Sequence, residues 1–274
     1  MLLGLGLALA LSSPAAQQKP IPQLLQPAAG ARASTPGRPA APPVKTERPV
    51  PFKAGETLEY DVSWSQFLTA GTATLKVQDK RSSSGSTAYY IYAEGRPTPL
   101  VSRLYSIYYK ADTLLDVYTL LPQRAAVYSD ENGKRRTKVT RFDHARHRAD
   151  YDVQTSTLVT KPLTLPQGTL DLLSVLFVIR AAPLLEGGRI TAPVTDSGEL
   201  YTVRAAVGAK AAVRTPAGTF SAWPITLLIT DSDGSQVDNS IVIWISDDAR
   251  RLPVRVEAGL PVGEFVLLLR SAAL

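Results

Sequence analysis

Apolar and polar residues alternate along much of this chain. Leu58, Tyr60, Val62 and Trp64 alternate with Glu59, Asp61 and Ser63. A period of two puts successive side chains on opposite faces of a strand, one face buried and one wet. Ala70-Gly71 interrupts the pattern, and Ala73, Leu75 and Val77 resume it against Thr72, Thr74 and Lys76. A serine-rich loop at 82–86 precedes a third strand at 88–93. Residues 124–128 and 135–142 flank Asn132-Gly133, a dipeptide that predicts a tight hairpin. The alternation returns at 201–207, 220–230, 237–245, 252–258 and 263–269, with turn residues between. Many short strands punctuated this way predict a mainly β domain, a curved antiparallel sheet or partly open barrel.

Residues 169–185 break the rhythm. Leu172, Leu173, Val175, Leu176, Phe177, Val178 and Ile179 form a run that is apolar nearly all round. Thr169 is placed to cap a helix, Asp171 suits the positive end of its dipole, and Pro183 with Gly187-Gly188 stops it. The reading is one apolar helix over about 169–182, lying against or inside the sheet, where it can be covered on most faces. A buried strand is the alternative, since β-branched residues are present. On the helix, Leu172, Leu176 and Ile179 share a face expected to be core, and Phe177 is assigned to the roof of a pocket. A second helical turn is expected at 99–105.

The first 51 residues have a different character. Residues 2–11 form an apolar core of signal-peptide length, followed by the small residues Ser13, Ala15 and Ala16. No basic residue precedes that core, and a short buried helix is the other reading. Residues 1–16 are read as a signal peptide and 17–51 as a disordered linker. The stretch 14–51 holds 10 of the 21 prolines and little that could fill a core. A single β-rich domain is expected over 52–274.

Composition narrows the function. The 274 residues carry a net charge of +6, but residues 1–51 hold five basic residues against one acidic. That leaves 25 basic and 23 acidic residues for the domain, which is close to neutral and shows no nucleic-acid motif. No cysteine is present, so disulfides, thiolate metal sites and a Cys nucleophile are excluded. With two histidines, no cofactor and no metal are expected. No segment of the mature chain is apolar for long enough to span a membrane as a helix.

Several phrases occur in a characteristic order: Phe52 to Tyr60 (FKAGETLEY), Trp64 with Ala70-Gly71, Phe142-Asp143, Asp171-Leu172-Leu173-Ser174, Pro216-Ala217-Gly218-Thr219-Phe220, and Trp244-Ile245-Ser246-Asp247-Asp248 with Arg251-Leu252-Pro253. From about Phe52 to Leu269 the chain resembles the exported bacterial proteins known as domain of unknown function 3108. That resemblance implies export and brings no catalytic residue with it. At the level of fold, such proteins look similar to periplasmic lipoprotein carriers, in which helix covers the concave side of a curved sheet.

Candidate chemistry is sparse. His144 and His147 lie three apart with Asp143 alongside, a weak metal spacing that also suits a wet hairpin end. Ser174 beside Asp171 lacks a nucleophile elbow and a base. Asp231, Asp233, Asp238, Asp247 and Asp248 make an acidic group, of which Asp231-Ser232-Asp233-Gly234 lacks a full calcium-loop pattern. Eight basic residues between Arg124 and Arg148 suit a wet hairpin or contact with anionic lipid. Tyr60, Trp64, Tyr90, Tyr92 and Phe177 are the expected ligand-binding residues, aromatic bodies with polar tips being suited to line a cleft. The expected function is a non-catalytic binding or carrier protein of the periplasm or cell envelope, holding an apolar, lipid-like molecule. The alternatives are an envelope structural or protein-interaction module and, remotely, a hydrolase.

Overall fold

Alternation becomes antiparallel pairing almost throughout. The computed structural model describes residues 45–273, apart from 66–67, 105–106, 238–239 and 261–262. In chain order it contains β1 (Thr57–Trp64), β2 (Leu68–Ser83), β3 (Ser86–Pro97), α1 (Pro99–Leu104), β4 (Ile107–Asp116), β5 (Pro122–Glu131), β6 (Lys134–Asp143), β7 (Arg148–Gln154), β8 (Leu158–Thr164), α2 (Leu172–Ala181), β9 (Arg189–Asp196), β10 (Glu199–Val207), β11 (Ala211–Thr215), β12 (Gly218–Thr230), β13 (Ser240–Ser246), β14 (Pro253–Leu260) and β15 (Gly263–Ala273). The expected signal peptide, linker residues 17–44, and Tyr105 and Asp238 lie outside the described residues.

The strands form one sheet in the order β8-β7-β6-β5-β4-β3-β2-β1-β15-β14-β13-β12-β10-β9, with β11 added beside β12. The expected mainly β fold with a curved sheet or open barrel is what is found. Asn132 and Gly133 both take positive φ, 51° and 81°, and join β5 to β6 as a two-residue hairpin requires. Ala70-Gly71 does not end a strand as expected. β2 runs through it with a register shift against β1 between Val62 and Ser63. Gly71 is needed there because a Cβ would lie 2.2 Å from the Arg96 carbonyl oxygen.

The sheet curls until its edge strands approach, yet no hydrogen-bond ladder joins β8 to β9. Side chains span this seam. Lys138 Nζ donates to Ser197 Oγ at 2.8 Å, and Lys161 Nζ pairs with Glu199 at 2.7 Å. Tyr151, Leu163 and Leu165 form a small core against Leu200.

The helix expected over 169–182 is α2. Asp171, not Thr169, is its cap: one carboxylate oxygen accepts from the N–H groups of Leu173 (2.9 Å) and Ser174 (3.1 Å). Thr169 Oγ donates instead to the Pro166 carbonyl. The helix ends at Ala181 because Ala182 precedes Pro183 and is driven to extended geometry. Phe177 packs into one core with Phe52, Leu58, Tyr60, Ile91 and Leu115. Val175 and Ile179 pack into a second core with Val203, Ile225 and Ile243. The helix therefore fills one end of the barrel and joins its two halves.

The domain also begins earlier than Phe52. The Arg48 N–H donates to the Val117 carbonyl at 2.9 Å, Glu47 pairs with Lys80, and Val50 packs on the core. Residues 45–51 thus belong to the domain and not to the linker.

Candidate functional site

The inward faces of the strands differ at their two ends. On β1, Leu58 and Tyr60 are fully buried, Val62 is half-buried, and Trp64 is 38% exposed. On β3, Tyr89 and Ile91 are buried and Ala93 is half-exposed. On β4, Leu115 and Thr113 are buried while Ala111 and Tyr109 are partly open. Leu269 and Val254 are buried where Leu267, Phe265 and Val256 are not. β1, β3, β4 and β15 thus show one gradient, whereas Ala258 of β14, opposite Phe265, is buried again. α2 closes one end, and at the other end, a mouth, the inner wall is apolar and half-exposed on β15, β1, β3 and β4, and covered on β13 and β14.

Register connects this wall across the sheet. Ala93 lies opposite Ala111, Ala111 opposite Val127, and Val127 opposite Lys138. The next row toward the rim is Gly95, Tyr109, Ser129 and Arg136. Trp64 stands opposite Phe265, their rings stacked with centroids 6.2 Å apart. Leu100 of α1, 60% exposed, is at this end too, between β3 and β4. Alanine and glycine on a concave wall leave room that larger side chains would fill.

The five residues expected to bind ligand are not brought together. Trp64 is at the mouth. Tyr60 is sealed in the core, its hydroxyl donating to the Pro253 carbonyl at 2.9 Å, and burial pushes its pKa up. Tyr90 and Tyr92 alternate with the buried Tyr89 and Ile91, so they face outward, where Arg81 lies over Tyr90 (3.7 Å) and Lys110 over Tyr92 (4.8 Å). Phe177 has no exposed surface and meets Phe52 edge-on at 4.8 Å. The space beside α2, lined by Leu170, Val175, Ile179, Ala192 and Val203 among others, amounts to about 10 Å³, room for one water. Among the described residues, α2 fills the space where the pocket under the helix was expected.

Other candidates resolve into structure. Thr113 Oγ donates to Asp171 at 2.9 Å, and Ser174 Oγ bonds the same carboxylate oxygen. All three residues are buried, and burial raises the Asp171 pKa against these hydrogen bonds. His144 Nε2 contacts the Pro122 carbonyl at 2.8 Å and its ring stacks on Phe142, while His147 ends the same short turn with φ 53°. Asp247 receives hydrogen bonds from Lys210 and from Trp223 Nε1, which lower its pKa. Asp248 caps the turn to Arg250 and Arg251, and Asp231 folds back on Ser235. Among the described residues, no three His, Asp or Glu side chains gather as metal ligands. No described helix is long and apolar enough to cross a membrane.

One pair escaped sequence reasoning. Arg180 and Glu56, 0% and 1% exposed, form a two-pronged ion pair at 2.7 and 2.9 Å. Arg180 also donates to the carbonyls of Arg251 and Arg250, and its guanidinium lies over Phe52 and Phe177. The available signal was a lone arginine inside an apolar helix.

A single curved antiparallel sheet, plugged at one end by a helix and open at the other, defines a β-barrel-like protein. The chain belongs to the family described as protein of unknown function (DUF3108), whose model matches residues 59–270. None of the curated proteins compared matches the chain. Among solved structures, a β-barrel-like protein of domain of unknown function DUF1849 from Brucella abortus is similar over 84% of this chain and 99% of its own, with a TM-score of 0.54 and 11% identity. That likeness is one of fold alone. A Bacteroides fragilis protein described as having a YmcC-like fold aligns over 82% of this chain and 98% of its own at 10% identity, with a TM-score of only 0.35.

Proposed function

We propose that this chain is an exported, non-catalytic carrier that holds an apolar, lipid-like molecule in the unplugged half of its barrel. The observation behind this reading is the burial gradient: β1, β3, β4 and β15 keep apolar inward faces half-exposed at one end only. An apolar concave wall of this kind is the usual form of a ligand site. Export to the periplasm or envelope rests on the apolar core at residues 2–11 and the small residues after it. The absence of catalysis is supported by the Asp171, Ser174 and Thr113 cluster, which is sealed from solvent and occupied in capping α2. The test is native mass spectrometry and lipid extraction of the protein taken from its own envelope. A co-purifying lipid lost on Trp64→Ala is expected. Ligand-free protein that also binds no fluorescent fatty acid would overturn the carrier reading.

The filled end favours a second reading, an envelope structural or protein-interaction module. Its support is the helix-side space of about 10 Å³. It predicts a protein partner recovered by crosslinking and no lipid.

A further inference from the structure

The cations of the β5–β6 hairpin are sorted by face. On the outside, Arg124 pairs with Asp112 (2.6 Å), Arg135 with Asp130 (3.1 Å), and Arg141 with Asp152. On the inside the pattern is different. Lys134, Arg136 and Lys138 alternate with those outward residues, so they share the face of Thr140 and Phe142. None of the three has a carboxylate within ion-pair distance among the described residues. Lys138 is half-buried, and its ammonium reaches only the Ser197 hydroxyl, with Asp196 feeling its charge across the seam. Arg136 is exposed at the rim, and on the same inner face Glu131, opposite Lys134, accepts a hydrogen bond from Tyr109, leaving the three cations in excess of the acids there.

This positive excess sits at one end of an apolar strip. Across the sheet, Lys138 lies beside Val127, Val127 beside Ala111, and Ala111 beside Ala93. Arg136 lies beside Ser129, and Ser129 beside Tyr109. Outward arginines matched by carboxylates make a solvated surface of little net charge. Inward, three cations outnumber Glu131 and Asp196, and the excess makes a local positive field that acts most strongly at the half-buried Lys138.

From this sorting we infer that the ligand is an amphiphile with an anionic head group, its charge on Arg136 and Lys138 and its tail along Val127, Ala111 and Ala93 toward α2. The inference rests on the carrier reading and adds the ligand's polar end. A carboxylate or a phosphate ester would serve, since both accept charge-assisted hydrogen bonds from a guanidinium. The basic hairpin is then part of the mouth and not a surface for membranes.

The full mature chain is titrated with cis-parinaric acid and with its methyl ester, which has the same tail and no charge. The acid is expected to bind about tenfold tighter, the worth of one charge-assisted hydrogen bond. Arg136→Gln with Lys138→Gln should lower acid affinity to that of the ester and leave ester affinity alone. Arg135→Gln, on the outer face, should change neither. Competition by dodecanoate or by dodecyl phosphate then tells which anion is preferred. Circular dichroism melting that matches the wild type shows that each variant is folded. Equal affinity for acid and ester, unmoved by the double variant, overturns the head-group site and leaves the carrier standing. Binding of neither probe overturns both.

Discussion

Breaking the ion pair between Arg180 and Glu56 is the sharpest test of how α2 is held. Both side chains are buried to within 1% of completely, so neither charge can find water when its partner is removed. Glu56→Gln keeps the shape and deletes the charge. It leaves a guanidinium with two carbonyl acceptors and two aromatic faces, but without a counter-ion. Removing one partner of a buried pair costs about 3–5 kcal/mol. At about 2–4 °C per kcal/mol for a domain of this size, the melting temperature should fall by about 6–20 °C. Urea unfolding should show a lower midpoint with an unchanged slope, since the surface exposed on unfolding is the same. Arg180→Met should cost a comparable amount. Combined with Glu56→Gln it should cost much less than the sum, because an uncharged pair of similar volume no longer carries the desolvation penalty. A loss under about 1 kcal/mol for either single change, or simple additivity in the double variant, would show that the pair is not sealed from water and that α2 is not a fixed plug.

The same packing sets the other expectations. Phe177→Ala should cost about 3–5 kcal/mol and Leu176→Ala, half-exposed, about 1–2 kcal/mol, the reverse of the order drawn from the helix pattern alone; comparable losses measured by urea unfolding would refute it. Asp171 has a folded pKa raised above its unfolded value, so its stabilising contribution is complete below the ordinary aspartate range and is lost as pH rises through the raised value. Asp171→Asn should therefore fall further behind the wild type at acid pH than at neutral pH, in melting curves taken across that range; a gap that widens with pH would contradict this. Deleting residues 17–44 should leave the melting temperature within a few degrees, whereas extending the deletion through Val50 should lower it, because Arg48, Glu47 and Val50 contact the domain.

Much of the barrel was legible because its physics is local. Leu58, Tyr60 and Val62 alternate with polar neighbours, and Asn132-Gly133 can scarcely adopt anything but a tight turn. β4, β7, β8, β9 and β11 were not foreseen. Pro162 and Pro193 interrupt two of them, and Arg148–Gln154 alternates only over a short run, with Ala149, Tyr151 and Val153 on its apolar face. The site was less legible still. Whether Tyr90 points in or out depends on which face curls inward, a long-range fact fixed only when β15 meets β1. Phe177 looked like a pocket roof because an all-round apolar helix says that it is covered, not by what. The inward placement of Arg136 and Lys138 was hidden because pairing is decided across strands, and sequence spacing shows only that the hairpin is basic.

The pairing of β1 with β15 bears on the order of events in folding. Thr57 meets Ala273 and Trp64 meets Phe265, so the two middle strands of the sheet come from positions roughly two hundred residues apart. The earlier strands can form hairpins as they emerge, but β1 keeps an open edge until nearly all of the chain has been synthesised. Residues such as Tyr60 and Leu58 cannot be sealed before then. The core around Leu58, Tyr60 and Leu269 therefore closes only with β15, whereas the core around Val203 and Ile225 does not depend on it. That makes early termination of synthesis a hazard. Loss of the last dozen residues would open the middle of the sheet and not trim its margin.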